Sequence, residues 1–239
     1  MKELYLLYGT AASLGFFHTI LGPDHYVPFI VLSKARNWSK SKTLWVTFIS
    51  GIGHVGSTVL LGFLGVALGL SINKLESIEM FRGEIAGWML FVFGLIYFFY
   101  GVYRQMKRNG HGHVHHPVFS FLLPKKARRM HHLPTDENEA EKKKQAGITS
   151  WMLFLIFVLG PCEVLIPLLI FPAAEHSTIG IVMVALIFGI ATVATMLGIV
   201  YLGFKGSKHL NLKQKSEFVH IAAGLVIAFL GVSILFFGW

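Results

Sequence analysis

The chain has 239 residues, of which 54% are hydrophobic and only 14% charged, with a net charge of +9 and a mean hydropathy of +0.62. This composition excludes an ordinary soluble domain, and several long apolar runs point to a polytopic, helical membrane protein embedded in a lipid bilayer. The single cysteine, Cys162, excludes an intrachain disulfide. The basic excess would suggest nucleic acid in a soluble protein, but it sits in the loops between apolar runs, so no nucleic-acid partner is expected.

Six spans are predicted, at approximately 4–33, 44–71, 84–104, 149–172, 178–204 and 218–239. The first follows Met1-Lys2-Glu3 with no small-residue cleavage site after it, and is expected to be retained rather than removed as a signal peptide. It contains His18-Thr19-Ile20-Leu21-Gly22-Pro23-Asp24-His25, and ionisable groups at that depth tend to mark a substrate or ion path. In a continuous helix His18 and His25 would share a face but stand about 10 Å apart along the axis. Gly22-Pro23 predicts a break between them, because proline lacks the amide donor, clashes with the preceding turn and is suited to start a new helix. Asp24 and His25 then fall in the first turn of the helix expected to begin at Pro23. A carboxylate there complements the helix dipole and is also a candidate metal ligand or proton acceptor. Pro28 removes the amide that would bond the Asp24 carbonyl, and Pro167 does the same for Glu163; freed carbonyls of this kind coordinate cations in transporters.

In the second span His54 lies amid Ser50, Gly51, Ser57 and Thr58, a small-residue face that suits close helix packing and could press the imidazole toward the broken helix. The central loop carries His111, His113, His115 and His116, with His131 and His132 further on; short His-rich tracts suggest metal capture. In the fourth span Glu163 needs a nearby cation to stay charged in apolar surroundings, and the adjacent Cys162 is a weaker candidate, since buried cysteine usually behaves as a small hydrophobe. The remaining histidines, His176, His209 and His220, lie near span ends and receive no role.

Basic residues divide unequally. Lys34, Arg36, Lys40 and Lys42 in the first loop, ten in the central loop counted from Arg104, and Lys205, Lys208, Lys213 and Lys215 make eighteen on one side, against Lys2, Lys74 and Arg82 on the other. The basic side is expected in the cytoplasm, with both termini outside. The halves also resemble each other. Leu21-Gly22-Pro23-Asp24-His25 matches Leu159-Gly160-Pro161-Cys162-Glu163 at an offset of 138, and Gly51-Ile52 matches Gly189-Ile190 likewise. Gly87, Gly94 and Gly101 match Gly224, Gly231 and Gly238 at an offset of 137. The expected fold is therefore all-α, with six transmembrane helices as two inverted three-helix repeats and the first and fourth helices discontinuous. Its expected divisions are a transmembrane repeat over 1–104, a cytoplasmic His-rich basic loop over 105–148 and a second, inverted repeat over 149–239.

At His18, Asp24, His25 and the His-rich loop the sequence resembles the nickel/cobalt transporter superfamily, including its UreH-like members. That resemblance implies nickel or cobalt transport, with those three residues as signature positions, although five residues rather than four separate His18 from Asp24-His25. At Leu159-Gly160-Pro161-Cys162 it also resembles the CcdA/DsbD-type transmembrane thiol carriers, which pass electrons between two membrane cysteines. With Cys162 alone and Asp24 at the matching position, this chain lacks such a pair, so the resemblance counts here for the fold and against the activity. The LysE group of exporters is a further relative by architecture.

The resulting expectation is a non-enzymatic inner-membrane transporter that exchanges a divalent transition-metal ion for protons by alternating access, in the efflux direction because the His-rich loop faces the cytoplasm. His18, Asp24, His25 and Glu163 would surround the ion, with His54 as a fifth candidate and Cys162 as a weaker one, and with His111, His113, His115 and His116 gathering it. The cargo and partner would be Ni²⁺ or Co²⁺, with Zn²⁺ also admitted, no resident cofactor is expected, and homo-oligomerisation stays open. The alternatives are an exporter of a small organic solute or anion and a thiol–disulfide carrier.

Overall fold

Proline and glycine, rather than any loss of hydrophobicity, set the helix boundaries around the first polar stretch. In the computed structural model, which describes residues 2–109, 136–162, 164–174, 178–209 and 216–237, helix α1 (Lys2–Leu21) ends at Gly22. A single 3₁₀ turn, Pro23–His25, follows, and α2 (Val27–Ala35) starts anew. The new α-helix begins at Val27, not at Pro23 as expected. Pro28 thereby occupies its first turn, where a missing amide costs nothing. Then come α3 (Lys40–Ala67), α4 (Ile72–Asn109), α5 (Asp136–Leu159), α6 (Leu165–Ala174), α7 (Thr178–His209) and α8 (Ser216–Phe237).

The expected six membrane spans are corrected to four. Among the described residues, the helices long and apolar enough to cross a bilayer are Lys40–Gly65, Ile72–Met106, Ile179–Gly206 and Phe218–Phe236. The reason is the pair of helix breaks. The first expected span is cut into α1 and α2, and the fourth into α5 and α6. The apolar part of α5 is only Gly147–Leu159, because its first turns read Asp-Glu-Asn-Glu-Ala-Glu-Lys-Lys-Lys. At 1.5 Å per residue neither α2 nor α6 approaches the roughly 30 Å of a hydrocarbon core. The chain is an all-α, polytopic membrane protein with, among the described residues, four long apolar helices and two interrupted segments, one before each pair of them.

The helix that carries the third expected span, 84–104, is longer than that span. Helix α4 starts at Ile72 and takes in Glu79 and Arg82, which pair with each other one turn apart and so remain compatible with a helix inside the membrane.

The most extensive contact is between α4 and α8, and it rests on glycine. A Cβ at Gly94 would collide with the backbone of Ala228, one at Gly224 with that of Phe98, and one at Gly231 with that of Phe91. These positions are among those that match between the two halves of the sequence, and in the structure they face each other across one interface. Small residues at this spacing let helix backbones approach closely in lipid. We expect Gly224→Ala to destabilise the protein by about 1–3 kcal/mol, the usual cost of overpacking, read as a lower denaturation midpoint in detergent with the helical content unchanged.

Two apolar clusters flank the centre. One joins Phe29, Leu32, Leu90, Phe93, Phe157 and Ile227; the other joins Ala11, Val55, Cys162, Leu165, Val184 and Phe188. A group of imidazoles lies between them, with the His25 ring 6.5 Å from Phe157 and the His18 ring 6.2 Å from Phe188.

His220, given no role from sequence, is buried near the other end of α4. Its Nε2 lies 3.1 Å from Arg104 Nη1 and its Nδ1 2.8 Å from the Tyr97 hydroxyl. A guanidinium only donates, so Nε2 accepts from it and Nδ1 carries the proton, donating to Tyr97.

Candidate functional site: a thiol among three imidazoles

The break after Leu21 turns the chain back so that His25 comes to face His18. Their ring centroids are 4.7 Å apart, where one continuous helix would have held them about 10 Å apart along its axis. Gly22 makes the turn possible: a Cβ there would lie 2.7 Å from His25 Nδ1 and 2.9 Å from Asp24 Oδ1. His54, near the middle of α3, completes the group. Its ring stands edge-on to His25 at 5.0 Å and stacked with His18 at 6.4 Å. Gly160 leaves room for it, since a Cβ at that position would meet His54 Nδ1 at 3.3 Å.

Each of two imidazoles has one nitrogen fixed and the other left over. His54 Nδ1 donates to the Phe157 carbonyl at 3.2 Å, and His25 Nδ1 lies 3.2 Å from the Asp24 carboxylate. Their Nε2 atoms are buried and have no hydrogen-bond partner, although His25 and His54 are each only 3% exposed. Both rings line a cavity of about 30 Å³ together with Asp24, Phe157, Gly160 and Pro161, room for a water molecule or two. Buried imidazole nitrogens are rarely left unpaired, so each of these two is open to a ligand or solvent.

Cys162 enters from the second helix break. Its sulfur lies 3.9 Å from His18 Nε2, and the residue is fully buried. Among the described residues, His18, His54 and Cys162 form the one group whose donor atoms, a ring nitrogen from each histidine and the sulfur, all lie within 4.8 Å of one another. Of the other residues anticipated from sequence, Asp24 reaches this region through His25. Glu163, His111, His113, His115 and His116 lie outside the described residues.

Sequence reasoning missed what holds the second break in place. The chain between α5 and α6 has backbone groups with no helical partner, and α4 satisfies several of them. Glu79, fully buried, accepts the Cys162 amide through Oε2 at 3.2 Å and pairs with Arg82 Nη1. Arg82 Nη2 donates to Ser57 Oγ at 2.7 Å and to the carbonyls of Val158 at 2.8 Å and Gly160 at 3.4 Å. Gly83 allows this approach, since its Cβ would stand 2.9 Å from Pro161 Cγ. The signal in the sequence is an acid and a base three residues apart next to an apolar run, between the expected spans 44–71 and 84–104.

Residues 27–233 match the family model described as the cytochrome C biogenesis protein transmembrane region. The chain belongs to this family. No curated protein and no solved structure matches it. The match supports a transmembrane carrier domain of the CcdA/DsbD thiol–disulfide type and overturns the nickel/cobalt transporter assignment, together with its transported Ni²⁺, Co²⁺ or Zn²⁺ as cargo and partner. The physical reason for the misreading is local. His18, Asp24 and His25, the signature positions of that assignment, all precede residue 27, whereas His54 and Cys162 lie inside the matched segment. A motif of three residues was outweighed by a pattern that runs through most of the membrane region. The thiol-carrier resemblance at Leu159–Cys162, set aside because only one cysteine is present, is the one the family supports.

Proposed function

We propose that the protein is a membrane-embedded thiol–disulfide carrier that works through one chain-borne thiol, Cys162. The observation that carries this reading is the placement of the Cys162 sulfur 3.9 Å from His18 Nε2, at a helix break that α4 holds through Glu79 and Arg82. The thiolate is the nucleophile in exchange, and His18 is the base within reach of the thiol proton.

The exchange requires two steps with outside sulfur. Cys162 Sγ attacks one sulfur of an incoming disulfide; that S–S bond breaks, and the displaced sulfur leaves with its electron pair and takes a proton from His18. The resulting mixed disulfide is then attacked by a second thiol, from the partner protein or a small thiol, which restores the Cys162 thiol and releases an oxidised product. The second thiol comes from outside this chain, which has one cysteine. The distribution of Lys and Arg favours a cytoplasmic 105–148 segment between membrane portions over 1–104 and 149–239, in a cell inner membrane with both termini outside.

The test is to add a small disulfide to membranes holding the reduced protein, quench with acid and label remaining thiols with a mass tag. We expect Cys162 to lose the tag, to carry a reducible adduct, and to regain the tag when a dithiol is added. A Cys162 that stays fully tagged throughout, in folded protein, contradicts the reading.

A further inference from the structure

We propose that Cys162, His18 and His54 form a three-ligand site for monovalent copper, bound as a resident ligand. The inference goes beyond the carrier reading and does not rest on it. An ion on Sγ and a mixed disulfide on Sγ exclude each other, so bound copper would withhold the thiol from exchange.

The geometry carries the assignment. With zinc bond lengths as a guide, about 2.1 Å to an imidazole nitrogen and about 2.3 Å to a thiolate sulfur, an ion spans the 3.9 Å between His18 Nε2 and Cys162 Sγ at an angle of about 125°, close to trigonal. The third donor is already nearby, since all three ligand atoms lie within 4.8 Å of one another. Trigonal ligands at those bond lengths stand roughly 3.6–4 Å apart, so closing on an ion takes a contraction of about 1 Å at most. Gly160, which lacks a side chain beside His54, leaves that ring room to move.

The second observation is the hydrogen bonding around the rings. His54 has its Nδ1 proton committed to the Phe157 carbonyl, which leaves Nε2 as a lone pair, buried and without a partner. An imidazole oriented by a backbone carbonyl on one nitrogen and open on the other is the usual outer-shell arrangement of a metal-ligating histidine. His25 repeats the pattern with Asp24 as acceptor and stands next to the site at 5.0 Å from the His54 ring.

The donor set and its surroundings select the ion. Thiolate with imidazole favours soft cations, and in an apolar region a thiolate with a monovalent cation leaves no net charge, whereas an uncompensated charge there is expensive. Binding exchanges the thiol proton for the ion, and the proton passes to solvent.

The experiment is titration of the full chain, reduced and in detergent, with Cu(I) buffered by a competing chelator, with Zn(II) as a parallel arm. We expect one Cu(I) per chain, a thiolate-to-copper absorption band, and protection of Cys162 from iodoacetamide. Cys162→Ser and His54→Ala should each weaken binding by at least about 100-fold, while His220→Gln, at a buried histidine away from the site, should leave it unchanged. Circular dichroism and gel filtration confirm that each variant folds. Copper bound equally well by Cys162→Ser, copper that leaves Cys162 open to alkylation, tighter binding of Zn(II) than of Cu(I), or no copper bound by folded protein would each overturn the proposal. Loss of copper binding with disulfide exchange intact counts against this site alone, and the reverse result counts against the carrier reading alone.

Discussion

Glu79→Ala is expected to lower stability by about 3–5 kcal/mol, the loss seen when one partner of a buried ion pair is removed and the other charge is left uncompensated. Glu79 is fully buried and holds both Arg82 and the Cys162 amide. Without it, Arg82 keeps its charge in an apolar setting and the amide at the helix break loses its acceptor. Glu79→Gln can still accept from Cys162 but cannot neutralise Arg82, so it should fall between wild type and alanine. Arg82→Ala removes the guanidinium that pairs with Glu79 and releases the Val158 and Gly160 carbonyls. Since the two residues act as a unit, the double variant should cost less than the sum of the singles. Denaturant midpoints in detergent for the four variants check this, and strictly additive losses would argue that the pair does not clamp the break.

His18→Phe should slow the reaction of Cys162 with a small disulfide by at least about 100-fold, the lower end of what a positioned general base contributes. The effect follows from the 3.9 Å approach of Nε2 to Sγ, with phenylalanine keeping the ring volume while removing the nitrogen. A purely structural role for His18 would lower the rate without altering its pH dependence. A role as base predicts that the variant's rate rises with pH in step with the thiolate alone. Stopped-time alkylation and disulfide exchange across a pH series separate the two.

Part of this site was legible in the sequence because glycine and proline report backbone geometry directly. Gly22-Pro23 between two histidines implied a turn, and the turn is what brings His18 and His25 to 4.7 Å. The same residues misled the count of spans: the apolar runs were summed across their breaks, while the folded chain divides them into α1 and α2, and α5 and α6. The facing of His54 was suggested by its small-residue neighbours, but its bond to the Phe157 carbonyl depends on α5 packing against α3, which no local pattern reveals. Glu79 and Arg82 were illegible for a related reason. A charged pair near the end of an apolar run looks like a loop until the partner backbone it serves, more than 75 residues away, is in view. The family was obscured by chemistry rather than by pattern: a single cysteine counts against the carrier class until the imidazole beside it is in view.

The central claim is that Cys162 carries reducing equivalents through the membrane, and the most direct measurement is thiol–disulfide transfer in sealed proteoliposomes. Vesicles holding the protein would enclose a dithiol, with an impermeant disulfide indicator outside. The account predicts indicator reduction by wild-type protein at a rate proportional to protein content, abolished in Cys162→Ser reconstituted to the same density. Equal reduction by wild type and Cys162→Ser would contradict it.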